Sequence, residues 1–151
     1  MNKIEYMAMS LPYGLMVLDD TDTVERESCL LIGIHENYAH VDYNDVGYEE
    51  FLIDVIDPIL FPISCLTKEI QLSNYNEGKP FIPIEKLYHL NILRCDISNF
   101  QFINLDVVAD HCFSNQFIKL FQQLIKWHID IAGLIKSGEA ISCTETFNPY
   151  K

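Results

Sequence analysis

Apolar and polar positions change rhythm about halfway along the chain. In the first half the apolar runs are short and broken by turn-forming clusters, which predicts strands. Leu15–Leu18 is closed by the acidic turn Asp19–Asp22, and Cys29–Ile34 and Tyr38–Tyr43 flank His35-Glu36-Asn37 as the arms of a hairpin. In the second arm Tyr38, His40 and Asp42 alternate with Ala39, Val41 and Tyr43, so one face can be wet. Phe51–Ile56 is a fourth strand candidate, ending at Asp57-Pro58. Pro58 and Pro62 argue against a continuous central strand there.

The second half reads as helix and loop. Ser64 can cap a short helix over Cys65–Leu72, Asn74–Lys79 is a turn, and Pro83 opens a second short helix, Ile84–Leu90. Phe100, Phe102 and Ile103 suit a strand within Asn91–Leu105. From Ser114 to Ser137, Phe117, Leu120, Phe121, Leu124, Trp127 and His128 fall on one stripe that Ile131, Leu134 and Ile135 continue. That periodicity predicts one long C-terminal helix, about 36 Å if straight, with Gly133 marking a bend or close contact and Gly138 as its stop. The fold class expected is α+β: a small, mostly antiparallel N-terminal sheet, short middle helices, and the long C-terminal helix packed on the sheet. No linker, repeat or low-complexity segment divides residues 1–151, which read as a single domain.

Charge sharpens this picture. Residues 1–75 hold three basic and fourteen acidic side chains, a net of −11, against seven and eight, a net of −1, in residues 76–151. Such a field repels phosphate backbones, so direct nucleic-acid binding is not expected. It serves either solubility or docking of a basic protein. Asp42, Tyr43, Asp45, Tyr48, Glu49 and Glu50 gather carboxylates and tyrosines in one stretch and are the candidate interaction residues. Tyr13, Tyr38 and Tyr75 are further tyrosines for such a patch. The five cysteines are scattered and form no C-x-x-C, which fits a reducing, cytoplasmic compartment. No apolar run is long enough to span a bilayer, and the N-terminus lacks the pattern of a leader.

Catalytic signals are sparse. Phosphate-cradling glycine motifs, a G-x-S-x-G elbow and H-E-x-x-H are all missing, and no cofactor is implied. Asp106, Asp110 and His111 could offer metal ligands if helical, although the two carboxylates equally suit a helix N-terminus. His35 and His40 could approach each other across the hairpin. Cys112 beside His111, or with His89 or His128, is the nucleophile candidate, but a catalytic pair meets in space rather than in sequence. The balance favours a protein that is not an enzyme.

Four stretches carry a family resemblance: LPYGL (Leu11–Leu15), DPILFPISCLTKEI (Asp57–Ile70), NEGKPFIPIEKL (Asn76–Leu87) and KWHIDIAGLIKSGEAI (Lys126–Ile141). They resemble a family of small, uncharacterised proteins of Bacteroidales phages and prophages. In that pattern an Arg precedes the second proline and an Asp follows the serine, where this chain has Phe61 and Cys65. The resemblance implies a mobile-element origin and a life in the host cytoplasm, and implies no activity. The leading functional expectation is an accessory protein that binds a host or phage protein through an acidic surface. A hydrolase or metal-dependent enzyme built on His111, Cys112 and nearby carboxylates is the second. A minor virion or assembly component, for which oligomers would be expected, is the third.

Overall fold

Asn2 starts the first element. Its side chain accepts from the Glu5 N–H at 2.9 Å while the Glu5 carboxylate accepts from the Asn2 N–H at 2.9 Å, a capping box that opens helix α1, Lys3–Ser10. In this computed structural model, which describes residues 1–19, 27–43 and 47–151, contacts gather the chain into two compact units. One holds residues 1–61 and 132–149, the other 62–131 and 150–151.

The first unit is built on a sheet of six strands among the described residues: β1 Met16–Asp19, β2 Ser28–His35, β3 Tyr38–Asp42, β4 Tyr48–Leu52, β5 Ile56–Leu60 and β6 Ile141–Ser142. Their order is β4-β3-β2-β1-β5-β6, antiparallel except for the β5–β6 pair. The α+β class and the mostly antiparallel sheet are as the patterning predicts.

The Phe51–Ile56 run is not one strand. It spans the end of β4, a 3-10 turn at Ile53–Val55, and the first residue of β5. That turn dictates the shape of the sheet. Laid flat, β4 and β5 would lie four strand spacings apart, about 19 Å, and Leu52 and Ile56 at opposite ends of the ladder. The four Cα steps between them reach at most about 14 Å. The sheet must therefore coil rather than lie flat. The register shift between Leu31 and Gly33 adds local twist.

β5 also runs through Pro58, contrary to the expectation that proline would stop it. Pro58 pairs with Val17 of β1, while the β6 ladder begins only at Ile59, so at Pro58 the β6 side needs no N–H. Inward residues Val17, Cys29, Leu31, Ala39, Val41 and Ile56 are all fully or nearly fully buried. A side chain such as Leu31 gains about 1.5–3 kcal/mol from that burial.

The second unit is made of short elements. The helix expected over Cys65–Leu72 is instead a 3-10 turn at Ile63–Thr67, after which Ile70 pairs with Phe81. Lys68, extended at φ −114° and ψ 157°, ends that turn. Helices α2 Pro83–His89 and α3 Leu105–Asp110 follow, the first opened by Pro83 as predicted and the second capped by Asn104. No strand forms at Phe100–Ile103, and Phe102 is 74% exposed.

The predicted long C-terminal helix is not one helix. α4 spans Phe117–Lys126 and ends in a Schellman motif: Ile129 donates to the Leu124 carbonyl and His128 to the Ile125 carbonyl. The motif needs a left-handed residue, and His128 supplies it at φ 56°. A separate four-residue helix, α5 Leu134–Ser137, belongs to the first unit and begins after Gly133, which is left-handed at φ 75°. Apolar spacing persists through the interruption because Ile129 and Leu134 are buried without being helical neighbours. No helix among the described residues is long and apolar enough to cross a membrane.

Candidate functional site

Pleating decides how the acidic candidates are shared between the faces of the sheet. β3 and β4 pair as Tyr38↔Leu52, Ala39↔Phe51, His40↔Glu50, Val41↔Glu49 and Asp42↔Tyr48. Ala39 and Val41 are buried, so Phe51 and Glu49 share their inner side and the other three pairs form the outer face. Asp42, Tyr48 and Glu50 are thus brought together on the outside, with Tyr38, His40 and Leu52. Tyr48 is 77% exposed. His40 Nε2 lies 3.3 Å from a Glu50 carboxylate oxygen, an exposed contact of small energetic weight.

Tyr43 and Glu49 stand on the other side. The Tyr43 ring meets Phe51 edge-on at 6.3 Å. Burial pushes the Cys29 thiol up to about 11; a hydrogen bond with Tyr43 works against that shift, and the carboxylates of Asp19 and Glu49 add to it. Burial, followed by the Cys29 and Asp19 charges, likewise raises the Tyr43 hydroxyl above its ordinary value. The Cys29–Tyr43 pair is a neutral, inward-facing contact. Of the six candidate residues, Asp45 lies outside the described residues. Tyr75 belongs to the second unit, where its ring packs on Phe81 and Trp127 at 4.8 and 5.5 Å under Lys126.

Alternation in the sequence already placed Tyr38, His40 and Asp42 on one face; it missed Leu52 as a member of that face. It also missed that β4 ends the sheet among the described residues, which nothing local signals.

The chemical candidates do not converge. His111 turns its Nδ1 back to the Val107 carbonyl at 2.8 Å, and Phe100 packs edge-on against its ring. Asp106 and Asp110 are exposed, and the Arg94 guanidinium donates to the Asp110 main-chain carbonyl. Cys112 is buried and donates its thiol to the Phe113 carbonyl at 3.3 Å; burial raises its pKa, with Arg94 opposing. A nucleophilic cysteine needs the opposite environment. His128 is fully buried and stacked on Tyr150 at 4.5 Å, and His89 lies exposed beside Tyr88. His35 pairs with Tyr38, and His40 with Gly33, so the two hairpin histidines do not face each other. Among the described residues no group of three or more His, Cys, Asp or Glu is placed to hold a metal ion.

No protein-family model, curated protein or solved structure matches the chain.

Proposed function

We propose that the protein is a non-enzymatic accessory protein of a phage or other mobile element, which binds a basic host or phage protein through the acidic, tyrosine-bearing face of β3 and β4. One observation carries this reading: the charge is segregated by unit. The sheet unit holds fifteen carboxylates and three Lys or Arg, a net of −12. The second unit holds seven of each, a net of zero. A solubilising charge has no need to be confined to one unit, whereas a docking face does. Tyrosines at Tyr38 and Tyr48, exposed beside the carboxylates, supply amphipathic contact area of the kind that anchors interfaces. A protein that ordinarily holds nucleic acid through its own basic surface fits this face, and the acidic module would then displace nucleic acid by imitating its charge.

The test is an affinity pull-down from nuclease-treated host lysate, washed at about 0.05 M and about 0.5 M salt, since screening shortens the reach of exposed charges severalfold over that range. A basic protein retained at low salt and shed at high salt is expected, and the Asp42→Asn, Glu50→Gln variant should fail to retain it. Retention that ignores both salt and these substitutions would overturn the reading.

A further inference from the structure

The backbone of β4 shows which of its groups face outward. Tyr43 donates its N–H to the Gly47 carbonyl at 3.3 Å, and Ile53 donates to the Asn37 carbonyl at 2.8 Å. These two bonds fix the phase of the ladder, because residues whose N–H and C=O face the partner strand alternate with residues whose groups face away. With the register Val41↔Glu49 and Ala39↔Phe51, Glu49 and Phe51 are the residues bonded to β3. Tyr48, Glu50 and Leu52 direct their N–H and C=O groups to the edge that, among the described residues, no further strand covers. All three are exposed.

Sheet edges are ordinarily guarded by lysine, proline, a bulge or extreme shortness. The opposite edge obeys this rule, since β6 has only two residues. β4 does not: its five residues pair without interruption, and Tyr-Glu-Glu-Phe-Leu contains neither lysine nor proline. Its guards are two glutamates. They select against one occupant, a second copy of the same strand, because antiparallel pairing about the strand centre sets Glu50 opposite Glu50. They select for another, a strand bearing lysine or arginine. Tyr48 and Leu52, 77% and 51% exposed, flank Glu50 on the outer face and offer apolar surface to the stems of those long side chains.

We infer that the free edge of β4 is a strand-addition site for an extended, basic segment of the partner protein. The segment's backbone pairs with Tyr48, Glu50 and Leu52, and its cationic side chains lie on the outer face against Glu50. This rests on the acidic-docking reading above and specifies how that docking is made.

The probe is a short, soluble peptide of alternating lysine and threonine, added to the full chain and followed by residue-resolved amide hydrogen exchange. The amides of Tyr48, Glu50 and Leu52 should slow by about tenfold or more, while Glu49 and Phe51, already bonded to β3, change little. The same peptide with every backbone amide N-methylated keeps its charge and loses its donors, and it should bind about tenfold more weakly. Glu50→Pro should weaken the peptide similarly, since it removes an outward N–H and spares the β3 ladder. Glu50→Gln separates the loss of charge from the loss of that donor. Equal binding of the N-methylated peptide, or binding without slowing at the three amides, would overturn strand addition and leave acidic docking standing. So would failure of the lysine–threonine peptide to bind while the pull-down still retains a basic protein. An empty pull-down overturns the underlying reading instead.

Discussion

Replacing His128 by glycine and by alanine tests the end of α4 through a sign rather than a size. Both substitutions remove the imidazole that is buried and stacked on Tyr150 with rings 13° from parallel. Each should therefore lose about 2–3 kcal/mol, somewhat less than truncating a fully apolar aromatic. The two differ only in the backbone. At φ 56° alanine pays the left-handed penalty and glycine does not, so the glycine variant should be the more stable by about 1 kcal/mol. Inside an uninterrupted helix the order reverses, with glycine worse than alanine by about 1 kcal/mol. The ring loss cancels in the comparison. Urea unfolding followed by fluorescence suits the measurement, because Trp127 is the single tryptophan and precedes the substituted residue. With a slope of about 2 kcal/mol per molar, the midpoints should differ by about 0.5 M. An alanine variant with the higher midpoint would refute the Schellman termination and restore the continuous helix.

Gly133→Ala follows the same logic at φ 75°: it should destabilise by about 1 kcal/mol in urea unfolding, where a mid-helix glycine replaced by alanine would stabilise. Asn91→Gly, at the left-handed position that closes α2, should raise the midpoint slightly, with a gain of no more than about 1 kcal/mol. A thiol reagent at neutral pH should label exposed Cys95 first and buried Cys29, Cys112 and Cys143 only on unfolding, read by peptide mass spectrometry. Alkaline titration should show stability intact below pH 9 and falling between 9 and about 11. Over that range the Cys29 thiol, ordinarily 9.0, ionises first in the unfolded chain and stays protonated in the fold. Tyr43 shifts in the same direction, and Cys29→Ala should flatten the 9–11 part of the decline.

What could be read from residues alone was whatever depended on neighbours along the chain. The β2–β3 hairpin was legible because Glu36 and Asn37 are turn residues between two apolar arms, and the alternation of Ala39 and Val41 with His40 and Asp42 needs only the pleat. The capping box at Asn2 and Glu5 was equally visible in the spacing and went unused. The end of α4 was hidden because its left-handed residue is a histidine inside an apolar stripe that keeps helical spacing on both sides. The split of Phe51–Ile56 was hidden because a run of apolar residues does not show where a strand turns. In the candidate site, acidity and tyrosines were legible, but the division of Tyr43 and Glu49 from Asp42, Tyr48 and Glu50 required a register. The open edge required the whole strand order, which is a non-local property.

The charge of the sheet unit has two consequences that respond oppositely to salt. Fifteen carboxylates against three cations repel one another in the folded unit, and the Lys3–Asp57 pair at 3.3 Å offsets only a small part of that. Screening by salt weakens this self-repulsion, so the unit should become more stable as salt rises. The proposed docking of a basic segment would depend on the same carboxylates attracting across the interface and should weaken over the same range. A partner released at high salt is therefore released from a protein that is better folded, not from one that is failing. Neutralising Asp42 and Glu50 should move the two properties apart in the same way, slightly raising stability while lowering affinity. That opposition is what separates a surface kept acidic for a partner from one whose acidity only keeps the chain in solution.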